Sequence, residues 1–363
     1  MAYLPSQSQD LIESGPRPSR KFIFGFICFS IFMLKVFVNM SHAFERLPKV
    51  VPTPKDNPTT AEKVKLGRQL YFDARLSKDN TVSCQSCHNA NTNGVDGTPV
   101  SVGIGGQKGG RNAPTVLNAA FASVQFWDGR AASLEDQAKG PLTNPIEMGM
   151  ENHDAVVAKL KTIPEYVSAF EKAFPAKARK KPTSAEAITI DNVAKAIAAY
   201  ERTLITRDAP YDKYLAGDKK ALNAAAVRGL QLVQTVGCVG CHSGAMFNGP
   251  AMPQGVGFYQ KFPVIPNADY EKQYGFSKDL GRFEVTKQES DKNMWRVPTW
   301  RNVAITAPYF HNGSVAKLAD AVRIMAKTQL NKELKDEEVN DIVAFLESLT
   351  GVNPEAARKL SSQ

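Results

Sequence analysis

Two stretches of the chain carry the same five-residue arrangement, Cys84-Gln-Ser-Cys87-His88 and Cys238-Val-Gly-Cys241-His242. Two thiols separated by two residues and followed at once by an imidazole suit the covalent attachment of haem. The thiols add to the vinyl groups on one porphyrin edge, and the neighbouring histidine gives the iron a proximal nitrogen. A redox-active Cys-x-x-Cys pair or half a zinc site would leave the histidine after each pair without a reason, twice. The spacing therefore predicts two c-type haems, held by Cys84 and Cys87 and by Cys238 and Cys241, with His88 and His242 as axial ligands. The remaining cysteine, Cys28, lies in an N-terminal apolar segment and needs no role.

That segment reads as a secretory signal over residues 1–43. A basic stretch (Arg17, Arg20, Lys21) precedes the uncharged run from Phe22 to Leu34, and Ser41-His42-Ala43 forms a small-x-small cleavage site. The uncharged run falls short of the roughly 20 apolar residues that a spanning helix needs, so an uncleaved anchor is the alternative reading. Export places the protein in the periplasm, where haem attachment protects thiols from oxidation. Cleavage takes away four basic and two acidic groups. The modest positive balance that remains, with no Arg-rich run, implies no nucleic acid and suits a soluble surface that could dock an acidic redox partner.

The stretch from Pro114 to Asp136 repeats, without gaps, in the stretch from Pro298 to Asp320. Pro114, Thr115, Asn118, Ala120, Phe126, Gly129, Ala132, Leu134 and Asp136 coincide with Pro298, Thr299, Asn302, Ala304, Phe310, Gly313, Ala316, Leu318 and Asp320. Two copies mean a duplicated domain, not a solenoid. Apolar residues recur at helical spacing at Val193, Ile197, Tyr200 and Leu204 and again at Val339, Ile342, Leu346 and Leu349, with Asp336 as an N-terminal cap. Pro- and Gly-rich loops fill 250–266, a polar stretch runs on to Asn293, and no alternating strand pattern stands out. The expectation is a mainly α protein of two cytochrome c-like domains, 44–207 and 208–363, joined around Thr206 to Tyr211. Their haems face a shared interface, and a C-terminal helix packs back on the first domain.

A haem with a sixth protein ligand suits electron transfer, whereas a free distal face can activate a small oxidant. Beyond residue 43 the chain has four histidines, His88, His153, His242 and His311, and two are already proximal. Met246 and Met252 follow His242 too closely to reach its opposite face easily. Met294 and Met325 are the better candidates for a sulfur ligand to the second haem.

The runs QFWDGRAASLEDQAKGPLTNPIEMGM and PTWRNVAITAPYFHNGSVAKLADAVRIMA resemble those of the bacterial di-haem cytochrome c peroxidases, over nearly the whole mature chain. The resemblance implies reduction of hydrogen peroxide to water with electrons from a small donor protein, a cytochrome c or a cupredoxin. It implies that electrons arrive at the C-terminal haem, with His242 and Met325 as axial ligands, and that peroxide is cleaved at the N-terminal haem on His88. Glu147 falls on the family's acid/base position, Gln137 and Phe126 on its distal pocket, and Trp127 on the indole between the haems. A calcium site is implied at Asn112 and the backbone carbonyls of Thr306 and Pro308. His311 becomes a haem-neighbouring structural or gating residue, while His153 reads as a satisfied helix-start histidine. A homodimer is the family's common state.

In one respect the chain departs from this pattern. Many members carry a distal histidine in the loop after the first signature, and it blocks the peroxidatic iron until the other haem is reduced. Here that position is Ile104, in VSVGIGGQKGG, which cannot ligate iron. The block is then absent or comes from water, Met148 or Met150. An N-terminal haem that is open with both centres oxidised is the expectation. Two other readings compete. A MauG-like enzyme that oxidises a partner protein would share Trp127 and Glu147 but carry Tyr in place of Met325. A simple di-haem electron carrier would have no use for Glu147 and Gln137.

Overall fold

The computed structural model describes residues 44–175 and 184–361. The expected signal or anchor segment lies outside them. Among the described residues no helix is long and apolar enough to cross a membrane.

The chain is mainly α-helical and built twice on one plan. In the first half the helix Ala61–Phe72 crosses Ile190–Glu201; in the second, Ala224–Thr235 crosses Asp336–Glu347. Each crossing requires a glycine. A Cβ on Gly67 would stand 1.8 Å from the Ala196 carbonyl oxygen, and one on Gly229 would stand 1.9 Å from that of Asp341. The backbones thus touch where a side chain would hold them apart. Thr60, Thr189 and Asn223 start three of these helices by accepting an amide from the first turn. Val193, Ile197 and Tyr200 present one buried face to Leu66, Leu70 and Tyr71, and Tyr71 meets Tyr200 edge-on at 5.1 Å. The second core gathers Ile342, Phe345 and Leu346 around Val233, Phe247 and Tyr211.

The fourth of these helices begins one residue earlier than its sequence suggested. Asp336 is its first residue and not its cap, because Glu338 reaches back to the Lys335 amide at 2.8 Å. Two three-residue strands, Tyr259–Lys261 and Met294–Arg296, pair antiparallel where no strand pattern stood out.

The duplication persists in the backbone. Short 3-10 turns at Ala119–Phe121 and Val303–Ile305 correspond, as do the bridges Gln125 to Ala131 and Tyr309 to Val315. Asn118 and Asn302, like Phe126 and Phe310, share positive φ angles. Both copies converge on one hydroxyl. Thr206 Oγ1 accepts Asn118 Nδ2 at 2.7 Å and Asn302 Nδ2 at 3.0 Å, with all three residues buried. Nearby, Arg301 and Asp212 form a buried pair at 2.7 Å. The last described helix, Pro354–Ser361, reaches the first half through buried Glu355, which pairs with Arg68 at 2.7 Å and accepts the Tyr200 hydroxyl at 3.2 Å.

Candidate active site

A single large apolar cavity runs between the halves, and both signature histidines border it. The one-turn helix Cys84–Cys87 delivers His88 at its end, where Nδ1 donates to the Pro114 carbonyl at 2.9 Å. His242 does the same toward Phe247 at 2.9 Å and stacks on Trp300 at 4.3 Å. Since a carbonyl only accepts, the tautomer is fixed and Nε2 is left with a lone pair for a metal. Burial lowers both imidazole pKa values, that of His242 to about 4, which keeps the ligand form neutral.

The cysteines fit covalent haem better than redox exchange. All four described thiols are free, and burial pushes Cys84 up to about 12 and Cys238 up to about 11. A reactive Cys-x-x-Cys needs the opposite shift. Cys238 and Cys241 border the cavity directly, while Cys84 packs against the first core. Neutral imidazoles, unpaired thiols and walls of Leu117, Val233, Leu318 and Val322 are what two haems require.

Met325, on the helix Leu318–Leu330, lines the cavity that His242 borders. Met246 lines it too, whereas Met294 and Met252 do not. Phe126, Trp127 and Gln137 are also in its wall. The Trp127 indole donates to the Asn112 carbonyl at 2.8 Å and meets Trp295 edge-on at 6.5 Å. Asn112, Thr306 and Pro308 border the same space. Asn112 spends its amide nitrogen on the Thr98 and Pro99 carbonyls, at 2.9 and 3.3 Å. Its Oδ1 and the carbonyls of Thr306 and Pro308 accept no hydrogen bond among the described residues, a set of hard oxygens that fits calcium.

Glu147 stands apart from this cavity, in a second pocket that shares Phe126 as a wall. Burial raises its pKa, partly offset by the charge of Arg130 and a hydrogen bond from Asn144. Its charge raises the proton affinity of both Cys84 and Cys87 of the first signature. Ile104 packs against this loop, its amide donating to the Glu147 carbonyl at 2.9 Å. Its side chain occupies the space that a Cβ on Gly149 would need. Met148 and Met150 are buried in the first core and, like Glu147, do not line the cavity.

Glu201, Trp295 and Arg296 were not foreseen in this cavity, whereas His311 was expected beside a haem. Glu201 is buried with one carboxyl oxygen unpartnered. Trp295 and His311 stack at 4.1 Å, and each has an unpartnered nitrogen among the described residues. Arg296 is half-buried, its Nε donating to the Phe126 carbonyl at 3.1 Å. Only long-range folding brings these groups together, and no local motif marks them. His153 donates Nε2 to the Lys139 carbonyl at 3.2 Å and takes no part.

Fold and site together define a two-haem redox enzyme. Residues 61–220 match the family described as di-haem cytochrome c peroxidase. The chain is 47% identical over 315 residues to the cytochrome c551 peroxidase of Pseudomonas aeruginosa, covering 86% of each chain. It is 45% identical over 303 residues to the cytochrome c peroxidase Ccp of Escherichia coli, covering 84% of this chain and 61% of that protein. Among solved structures it is similar to a MauG-like protein associated with microbial copper homeostasis, with a TM-score of 0.72 and 30% identity. That match covers 85% of this chain and 97% of the other. The chain belongs to the di-haem cytochrome c peroxidase family.

Proposed function

We infer that this protein reduces hydrogen peroxide to water in the periplasm, taking electrons from a small donor protein, a cytochrome c or a cupredoxin. When bound, the haem on His88 supplies the electrons that cleave the O–O bond, and the haem on His242 takes them in from the donor. The reading is supported by one observation: a half-buried carboxyl, Glu147, with raised proton affinity, acts electrostatically on both thiols of the first signature, while the second signature shares its cavity with a thioether.

Each peroxide consumes two electrons and two protons to give two waters. Glu147 takes the proton from the attacking oxygen and delivers it to the departing one, and a raised pKa suits a group that must do both near neutral pH. Gln137 donates a hydrogen bond to the oxygen on which charge develops. Phe126 closes the pocket against bulk water. Met325, in the cavity that His242 borders, would offer a thioether to the receiving haem and raise its potential. Trp127, held by Asn112, lies in the wall between the two centres as a bridge for the electron. Asn112 Oδ1 and the carbonyls of Thr306 and Pro308 would hold a calcium ion, which would brace that wall.

The MauG-like structural neighbour favours a second reading, oxidation of a partner protein on the same scaffold. Met325 counts against it. In steady-state assays with a reduced cytochrome c, Glu147→Gln should slow peroxide consumption by about 10²-fold or more while both haem spectra stay unchanged. An unaltered rate in that variant would overturn the assignment.

A further inference from the structure

The pocket that holds Glu147 has a volume of about 400 Å³ and reaches the surface at exposed Arg130, Ala132 and Asp136. Arg130 lies along its wall with the guanidinium carbon 3.5 Å from the Phe126 ring centroid. Its Nη1 is 2.7 Å from Asp128 Oδ2. Asp128 is buried, and the same oxygen also accepts from Arg111. Arg111 forks onto Asp279 of the second half at 2.6 and 2.8 Å. Asp128 therefore divides one negative charge between two guanidiniums and leaves Arg130 incompletely neutralised.

We propose that Arg130 is a positioning residue that sets the charge of Glu147, with Asp128 governing how much of its own charge Arg130 can exert. The proposal rests on the acid/base reading of Glu147. Burial raises the proton affinity of the Glu147 carboxyl, and a cation that lines the same pocket opposes that rise. Arg130 is the cation that acts on it, and its influence opposes that of burial. The other polar groups facing Glu147 are Asn144, whose hydrogen bond acts in the same direction, Asp136 across the pocket, and the thiols of Cys84 and Cys87. The loop of Ile104 contributes only a backbone amide, bonded to the Glu147 carbonyl.

The test uses the holoprotein and two readouts, the pH profile of peroxide consumption and an infrared titration of the Glu147 carboxyl band, assigned by its loss in Glu147→Gln. In Arg130→Met the acid limb of the profile and the carboxyl midpoint should both move to higher pH, and Arg130→Lys should return them toward the wild-type values. Asp128→Asn frees more of the Arg130 charge and should move both the opposite way. Superimposable carboxyl midpoints for wild type and Arg130→Met would overturn the proposal. Arg130 is exposed, so its variants should fold even if Asp128→Asn does not. If Glu147→Gln left the rate unchanged, the acid/base reading would fail separately, and the infrared midpoints would still decide the coupling.

Discussion

Glu201 ends its helix with a carboxyl wholly removed from water, one oxygen unpartnered, and no part in the proposed chemistry. Burial raises its pKa from 4.5 to about 8; Arg202 lowers it less, and Glu135 adds a small further rise. A carboxyl whose folded-state pKa lies above its unfolded value binds its proton more tightly in the native chain. Its contribution is complete below the unfolded value and is lost as pH rises through the folded one. Stability should therefore decline between 4.5 and about 8 in the wild type. In Glu201→Gln that decline should be shallower, measured as the denaturant midpoint of the holoprotein at several pH values. An identical slope in the two proteins would show that Glu201 is not neutral in the native state. Glu135 has the opposite sign. Its pairs with Arg202 and Asn57 outweigh the burial that would raise it, and its contribution is lost only toward acid pH.

At the scale of elements, the two helix crossings do the positioning, because each brings a signature histidine and the wall of the cavity into one frame. Gly67→Ala would drive a methyl group into the Ala196 carbonyl, with neighbouring backbone unable to yield cheaply. Overpacking of this kind costs about 1–3 kcal/mol or more. Thermal unfolding should show a lowered Tm for this variant, whereas a substitution at exposed Glu62 on the same helix should leave it near the wild-type value. One helix of each crossing was legible because its apolar residues recur at helical spacing, Val193 to Leu204 and Val339 to Leu349; its partner was not read from the sequence. The paired strands were not, since three residues are too few to show alternation. Asp336 was misplaced by one position because a Glu338 side chain, not the aspartate, closes the helix start.

Across the whole molecule, a duplicated plan surrounds the two signature histidines. Thr206 joins the copies through one hydroxyl that accepts from Asn118 and Asn302, and Arg111 spans them through Asp279. The haem-binding residues were legible because thiol and imidazole chemistry demands a fixed local spacing. The acid/base residue was legible only through family resemblance, since a glutamate between Pro145 and Gly149 has no local signature. The Arg130 coupling and the Trp295–His311 stack depend on contacts between distant segments and left no trace in any window of sequence. Between Met294 and Met325, spacing alone could not choose, and only Met325 shares the cavity with His242. The inequality of the centres follows from these placements. On the proposed reading Met325 saturates one, and Ile104, Met148 and Met150, which do not line the cavity, leave the other open. Electronic and EPR spectra of the holoprotein with both haems oxidised test this most directly. The expected result is one low-spin His/Met centre, abolished in Met325→Ala, beside one high-spin centre that reacts with peroxide on rapid mixing. Two low-spin centres, both inert to peroxide until one is reduced, would contradict it.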